Sequence, residues 1–177
     1  MKPSRSLSTS TPSSEAKLLR SIRIWLILFM IGLVLSGVTA FPLERETAWL
    51  MRCLGERPLA LPALALWVKR VHEALAETSV RYPFLAYGTD WLAFAHLVLA
   101  AAFIGPLRDP VRNKWVLEFG VIACAGVLPL ALIAGPIRGI PFYWRLIDCS
   151  FGLFGAIPLL LCLHWVKRLR ILRGEVL

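Results

Sequence analysis

The chain has 177 residues, of which 58% are apolar and 18% charged, and its mean hydropathy is +0.68. Soluble domains are usually about 45–50% apolar, so this composition is typical of a polytopic membrane protein. Lys and Arg outnumber Asp and Glu by 20 to 11, which gives a net charge of +9. The composition excludes a soluble enzyme domain, a disordered basic chain and a disulfide-linked secreted module, and the length suits one helical bundle.

Four stretches are long and apolar enough to cross a bilayer, which takes about 20 helical residues for roughly 30 Å of hydrocarbon. They cover about residues 24–41, 87–107, 115–136 and 146–166. Another apolar stretch, 59–68, is too short to cross. We therefore predict an all-α fold: a polytopic membrane protein whose four transmembrane helices form a bundle over residues 20–168, with an external amphipathic helix.

The basic residues indicate how the chain is oriented. Twelve Lys and Arg residues precede the first span, lie between the second and third spans or follow the fourth, and eight are spread over the two other loops. The positive-inside rule therefore places both termini in the cytoplasm. An alternative stays open, because Val38-Thr39-Ala40 after the first apolar run also fits a signal peptide cleaved at Ala40-Phe41.

The segments outside the spans differ in composition. The beginning of the chain is rich in Ser, Thr and Pro, which predicts a disordered cytoplasmic tail over residues 1–19. Residues 167–177 form a basic cytoplasmic tail.

The external segment, residues 43–86, contains an amphipathic pattern. Its apolar residues recur at helical spacing: Leu64, Trp67, Val68, Val71 and Leu75. The opposite face carries charges that predict the ion pairs Lys69–Glu73 and Arg70–Glu77. We expect a helix that lies on the outer membrane surface or caps the bundle, with His72 solvated on it.

Small residues recur along three spans, in the sets Gly32/Ser36/Ala40, Gly120/Cys124 and Asp148/Gly152/Gly155. Such stripes let membrane helices approach closely, so we expect helix contacts there. Pro129 and Pro158 predict kinks or freed carbonyl groups inside the third and fourth spans.

Ionisable residues near the outer ends of the spans form the candidate site. Asp90 is the fourth residue of the second span and Asp148 the third of the fourth, while Arg138 and Arg145 border the same edge. Together they predict a binding site for an anionic lipid headgroup or another acidic ligand. The alternative interpretation is that Arg145 and Asp148 neutralise one another and fix the helix register.

The second span also carries His96 near its middle, which is either a hydrogen-bonded packing residue or a ligand. His96 and His164 differ in depth by roughly 13 Å, too far for one haem to bridge. The chain has no zinc-site spacing, phosphate-binding glycine loop or nucleophile motif, so we predict no catalytic residue, metal site or cofactor. At the cytoplasmic side we expect a turn at Asp109-Pro110 and a pair between Glu118 and Arg112 or Lys114.

Three segments resemble an uncharacterised family of small bacterial four-helix inner-membrane proteins over roughly residues 80–165. They are Gly88-Thr-Asp-Trp-Leu-Ala-Phe-Ala-His96, Ile104-Gly-Pro-Leu-Arg-Asp-Pro-Val-Arg112 and Phe142-Tyr-Trp-Arg-Leu-Ile-Asp-Cys-Ser-Phe-Gly152. This resemblance implies a location in the bacterial inner membrane, and no activity comes with it. In the second span an Asp precedes a His, and at the start of the last span an Arg precedes an Asp. This order is also similar to that in VanZ-type proteins, which are linked to glycopeptide resistance. Here that Asp–His spacing is wider, Trp91 stands where that family has lysine, and the last-span Asn is missing, so no role is carried over.

These patterns predict an integral membrane protein without a catalytic site, an accessory or assembly subunit of a larger membrane complex. The alternative is a lipid- or envelope-directed transporter or enzyme that uses the outer Arg/Asp residues, and a pigment- or haem-binding role is a third hypothesis. The expected partners are the lipid bilayer, other membrane-protein subunits and anionic lipid, with no nucleic acid.

Overall fold

A computed structural model of the chain describes residues 12–55 and 62–174. That part of the chain is helical and contains no strand, which confirms the predicted all-α class. The α-helices are α1 (Pro12–Ala40), α2 (Leu43–Gly55), α3 (Pro62–Arg81), α4 (Ala86–Ala102), α5 (Ile104–Arg108), α6 (Lys114–Pro129), α7 (Gly135–Ile137) and α8 (Phe142–Leu172). A short 3₁₀ turn precedes α4, and a π-helical segment joins α6 to α7.

Four continuous helical stretches are long and apolar enough to cross a membrane: Ser14–Ala40, Pro83–Arg108, Lys114–Ile137 and Phe142–Leu172. The four predicted spans fall within these stretches, apart from Phe41, which lies one residue beyond the end of α1. Many of their large apolar side chains are exposed on the protein surface, including Leu35, Ile122 and Phe154.

The structure differs from the predicted disordered tail over residues 1–19. Residues 1–11 lie outside the described part, but α1 already begins at Pro12. Proline suits the first turn of a helix, where no N–H is needed, and the acidic Glu15 interacts favourably with the helix dipole there. The Glu15 carboxylate also accepts hydrogen bonds from Arg173, at 2.8 Å from Nε and 2.6 Å from Nη2.

The predicted basic tail, residues 167–177, is likewise helical at its beginning. Helix α8 continues to Leu172 and ends beside Gly174, whose φ is +69°. Residues 175–177 lie outside the described part. The last apolar helix is therefore longer than the predicted span, 146–166.

The chain divides into two compact units, Met1–Met30 with Ala102–Leu177, and Ile31–Ala101. The first unit has an apolar core to which α1, α6 and α8 contribute. Its fully buried side chains include Ile22, Leu26, Phe103, Leu117, Leu159, Cys162, Val166 and Leu169. Within it the rings of Phe29 and Phe103 meet edge to face at 4.8 Å.

Helices α6 and α8 pack closely at glycines, as the small-residue pattern predicts. A Cβ on Gly152 would lie 2.5 Å from the carbonyl oxygen of Cys124, and a Cβ on Gly120 would lie 2.7 Å from Leu159. A Cβ on Gly155 would lie 3.0 Å from the sulfur of Cys124. Larger residues at these positions would force the two helices apart.

Pro129 ends the regular part of α6 as the sequence indicates. The five residues after it, Leu130–Ala134, form a π-helix that leads into α7. Proline has no backbone N–H, so a carbonyl group in the preceding turn loses its hydrogen-bond donor. The wider π-helical turn gives such carbonyl groups another N–H donor. Pro158, by contrast, is buried inside α8 without interrupting it.

The second unit contains α2 and α3, of which α2 was not predicted. The Thr47 hydroxyl of α2 lies 3.1 Å from Nδ1 of His72 on α3, so His72 joins the two helices instead of being solvated. The predicted Lys69–Glu73 pair forms at 3.8 Å. Glu77 pairs with Arg81 at 3.8 Å and not with Arg70 as predicted, because Arg81 lies one turn along the same face.

The first-span stripe also differs from its prediction. A Cβ on Gly32 would meet nothing within 4 Å and Ser36 is exposed, whereas Ala40 is half-buried, so the expected close helix contact is not seen at Gly32 or Ser36. Gly37 makes the close approach instead: its Cβ would lie 2.8 Å from the carbonyl oxygen of Ala93.

The turn between α5 and α6 agrees with its prediction. Asp109 Oδ1 accepts hydrogen bonds from the backbone N–H groups of Val111 (3.1 Å) and Arg112 (3.0 Å), which closes an Asx-type turn. Glu118 pairs with Lys114 at 2.6 Å.

Candidate functional site

The candidate site lies where α7 turns into α8. The turn has the hydrogen bonds of a Schellman motif: Ile140 N–H donates to Gly135 O at 2.9 Å, and Gly139 N–H donates to Pro136 O at 3.0 Å. Gly139 adopts φ +70°, which a residue with a side chain rarely does. This turn fixes Arg138 at the end of α7 and starts α8 four residues later.

Arg145, on the first turn of α8, packs back against α7. A Cβ on Gly135 would overlap the Cγ and Cδ atoms of Arg145, so only glycine leaves room for this side chain. The Arg145 guanidinium lies 5.2 Å from the centre of the Phe142 ring, which is within cation–π range. Its Nε is buried and, among the described residues, has no hydrogen-bond partner.

Next to this turn is a cavity of about 240 Å³ between the end of α6, the π-helix and α8. It is lined by Val127, Leu130, Ala131, Ala134, Gly135, Arg138, Ile140 and Asp148. Arg138 and Asp148 are the two charged residues among them, and almost all of the surface that faces the cavity is apolar. Arg145 contacts Gly135 on the same wall.

Asp148 differs from the other acidic residues described in the first unit. Glu15 is bound by Arg173, Asp109 by backbone N–H groups and Glu118 by Lys114. In the described part of that unit the Asp148 carboxylate has neither an ion-pair nor a hydrogen-bond partner. The predicted neutralisation of Asp148 by Arg145 is therefore absent, because Arg145 extends towards Gly135 and Phe142 instead.

The other two predicted site residues belong to the second unit. Asp90 is half-buried on the first turns of α4. His96 lies on the same helix, and its Nδ1 is 2.8 Å from the carbonyl oxygen of Leu92. Because a carbonyl only accepts, Nδ1 carries the proton and donates, and this contact is compatible with both interpretations of His96.

Sequence reasoning missed three parts of this site. Gly135 was assigned to the end of a span, Phe142 had no role, and the π-helix was not expected. The available signals for an irregular helix end were Pro129 and the Gly135-Pro136 pair. Nothing in the sequence shows that Arg145 reaches Gly135.

A second cavity, of about 480 Å³, lies in the second unit. Its walls come from the residues after α1, the start of α2, the end of α3, the 3₁₀ turn and the start of α4: Phe41, Pro42, Leu43, Glu44, Arg45, Leu75, Thr78, Ser79, Leu85, Ala86 and Thr89. None of the predicted site residues lines it.

The chemistry available around the first cavity is that of binding. Two guanidinium groups donate to phosphate or carboxylate oxygens, and a carboxylate accepts from a cation. Throughout 12–55 and 62–174, no three His, Cys, Asp or Glu side chains converge in a group that could hold a metal ion. Comparison with known proteins adds no relative, since no protein-family model, curated protein or solved structure matches the chain.

Proposed function

We propose that the chain is a multi-pass protein of the bacterial inner membrane with both termini in the cytoplasm. Four helices of sufficient length support this, together with the large apolar side chains that they expose on their outer faces. Lipid tails cover such faces, whereas water would not tolerate so much continuous apolar surface. The asymmetry of basic residues supports the orientation.

Within the membrane its role is that of an accessory or assembly subunit of a larger complex. The observation that carries this proposal is the exposure of large apolar residues on the helices between the first two spans. Trp49 on α2 is 62% exposed, and Leu66 and Val80 on α3 are 70% and 86% exposed. These two helices hold each other through Thr47 and His72, so their remaining apolar surface is available to another subunit.

The test is purification of the tagged full-length protein from native membranes in mild detergent, followed by native sizing and mass spectrometry. We expect stoichiometric larger partners, and the double variant Leu66→Arg/Val80→Arg releases them. Arg70→Gln, an exposed change on the same helix, is the matched control and keeps them. Recovery of the unaltered chain as a lone small protein contradicts the proposal. An absorbance scan of the same eluate tests the pigment or haem hypothesis.

The second candidate function is lipid- or envelope-directed, and the unpaired Asp148 specifically favours it. A charged group in a membrane-spanning helix costs about 2.5–3.5 kcal/mol on insertion scales, so one without a protein partner calls for another explanation. Arg138, which also lines that cavity, and Arg145, which packs against Gly135, carry the guanidinium groups that we propose to bind a headgroup phosphate. The function is then binding, moving or modifying a lipid of the outer leaflet.

The test of this candidate is the lipid that co-purifies with the chain. Arg138→Ala and Arg145→Ala should each reduce bound phospholipid, because each removes a phosphate donor. Arg145→Lys separates charge from packing, since lysine keeps an aliphatic stem against Gly135. Unchanged lipid content in both alanine variants, in protein that still accumulates, overturns this candidate function.

A further inference from the structure

We infer that the end of the first unit at which α1 begins and α8 ends binds the anionic headgroups of phospholipids, through Lys17, Arg20 and Lys167. This inference rests on the proposed insertion into a membrane. It depends neither on the orientation of the chain nor on the Arg/Asp residues at the turn from α7 to α8. The ligand is a phospholipid with a net negative charge, in the leaflet that borders this end of the unit.

Helices α1 and α8 lie side by side and run in opposite directions. The Cys162 thiol of α8 donates to the carbonyl oxygen of Ile22 on α1 at 3.7 Å. Nearer the beginning of α1 and the end of α8, Glu15 pairs with Arg173 at 2.6 Å. The two contacts together bring the beginning of α1 to the same end of the unit as the end of α8.

The cations of the two helices therefore lie at a similar level. Lys17 precedes Ile22 by five residues, and Lys167 follows Cys162 by five residues. At 1.5 Å per residue, both lysines are about 7.5 Å along their helices from the contact between Ile22 and Cys162.

The turn between α5 and α6 belongs to the same end of the unit. Helix α6 packs antiparallel to α8, with Gly120 beside Leu159 and Cys124 beside Gly152, so the start of α6 lies beside the end of α8. Seven cations from this turn, α1 and α8 are exposed and have no ion-pair partner among the described residues: Lys17, Arg20, Arg23, Arg108, Arg112, Lys167 and Arg168.

The acidic residues described at this end do not neutralise these cations. Glu15 is bound by Arg173 and Glu118 by Lys114. Asp109 accepts hydrogen bonds from backbone N–H groups of its own turn. This end of the unit therefore carries an uncompensated positive charge, which attracts anions.

On α1 the cations continue into an exposed apolar face. Lys17, Arg20, Ile24 and Ile27 follow one another at spacings of three and four residues, so they lie along one face of the helix. This face is opposite to Ile22 and Leu26, which are fully buried. Ile24 and Ile27 are 47% and 45% exposed. A ligand that follows this face meets cations first and apolar side chains next.

Helix α8 has the same arrangement. Leu153, Leu160 and Lys167 recur every seven residues, which is close to two helical turns, and all three are exposed. A phospholipid has the matching order of groups, an anionic headgroup followed by acyl chains. A soluble acidic partner would satisfy the cations but would leave the apolar part of both faces uncovered. The combination of charge and apolar surface therefore favours an anionic lipid.

The experiment uses the full chain in nanodiscs that contain equal amounts of phosphatidylglycerol and phosphatidylcholine with the same acyl chains. Native mass spectrometry measures the lipids that the protein retains on release. Because the two lipids differ only in their headgroups, the ratio of retained lipids reports on the headgroup alone. We expect phosphatidylglycerol to be enriched over phosphatidylcholine.

The triple variant Lys17→Gln/Arg20→Gln/Lys167→Gln should lower this enrichment by about tenfold or more, because each cation near an anionic surface contributes roughly fivefold to affinity. The variant Lys17→Arg/Arg20→Lys/Lys167→Arg keeps the charges and should keep the enrichment. If the triple glutamine variant does not fold, the single variants Lys17→Gln and Lys167→Gln carry the test, with an expected loss of about fivefold each.

The matched control is Arg52→Gln/Lys69→Gln/Arg70→Gln, which removes the same charge from exposed residues of the second unit. It should keep the enrichment, and an equal loss in this control overturns the inference. If Arg138→Ala/Arg145→Ala removes the enrichment and the triple variant at the end of α1 and α8 keeps it, the anionic lipid binds at the turn from α7 to α8 and the inference is wrong.

The remaining outcomes separate the inference from the membrane insertion on which it rests. Equal retention of both lipids by the incorporated chain overturns the inference and leaves the insertion intact, whereas failure to enter nanodiscs contradicts the insertion itself. Binding of a soluble polyglutamate peptide through the same three residues, without any preference for phosphatidylglycerol, would assign this end to an acidic protein partner and also overturn the inference.

Discussion

Single glycines determine how closely α6 and α8 approach. At Gly152 the neighbour is a backbone carbonyl of α6, which cannot move without moving the helix. Gly126 lies on α6 itself, and a Cβ there would meet nothing within 4 Å. These two glycines therefore test separately the effect of packing and the effect of helix propensity.

Gly152→Ala should destabilise the protein by about 1–3 kcal/mol, the usual cost of overpacking a filled contact. Gly126→Ala should leave stability unchanged or raise it by up to about 1 kcal/mol, because alanine favours the helix. Thermal unfolding of the two variants in the same detergent measures the difference. Equal melting temperatures would show that the glycine does not set the helix spacing.

Among the structural elements, the turn from α7 to α8 positions the candidate site. Its geometry depends on Gly139, whose Cβ would have open space around it but whose φ is +70°. The cost of a substitution there is consequently one of backbone conformation alone.

Gly139→Ala should cost about 1–2 kcal/mol, because an L-residue resists the left-handed conformation. Gly139→Asn should recover part of this loss, since asparagine adopts that conformation more readily. Chemical unfolding in detergent micelles measures both variants against the unaltered chain, and Gly88→Ala, in open space on α4, is the control. If asparagine were no better than alanine, the turn would not depend on the left-handed backbone.

The elements also show what sequence reasoning could reach. The four long apolar helices were predictable, because an apolar run of this length without strand or turn signals forms a helix that satisfies its backbone internally. Helix α2 was missed because charged residues interrupt its apolar pattern. Its helical spacing is nevertheless present in the sequence, at Leu43, Thr47, Leu50 and Leu54. The helical residues 12–19 were missed because their Ser- and Pro-containing start was interpreted as disordered, and the contact of Glu15 with Arg173, distant in sequence, leaves no local signal.

The sequence names the residues of the candidate site but does not show which atoms they contact. The sequence places Arg145 and Asp148 one turn apart, which is equally compatible with an ion pair and with divergent side chains. The outcome depends on Gly135, which leaves room for the arginine and comes from another helix. Contacts of this kind arise from tertiary packing and leave no periodic signal in the chain.

At the scale of the whole molecule, the proposed topology puts the segment between α1 and α4 outside the cell membrane. Cys53, at the end of α2, is half-buried and free, while the other three cysteines lie on helices α6 and α8. With Cys124, Cys149 and Cys162 replaced by alanine, a membrane-impermeant maleimide should label Cys53 in intact cells.

The control for this topology experiment is Arg112→Cys in a fully cysteine-free chain. Arg112 is exposed in the turn between α5 and α6, which the topology places in the cytoplasm. It should react only after the membrane is opened. The reverse pattern, with Arg112→Cys labelled in intact cells and Cys53 protected, would invert the orientation.

The contact between Glu15 and Arg173 makes near neighbours of two residues 158 positions apart in the chain. Groups attached just beyond these residues by short flexible linkers are therefore held together at an effective concentration on the order of millimolar. A partner that binds weakly to the beginning of α1 and weakly to the end of α8 would engage both at once, with an avidity far above either single affinity.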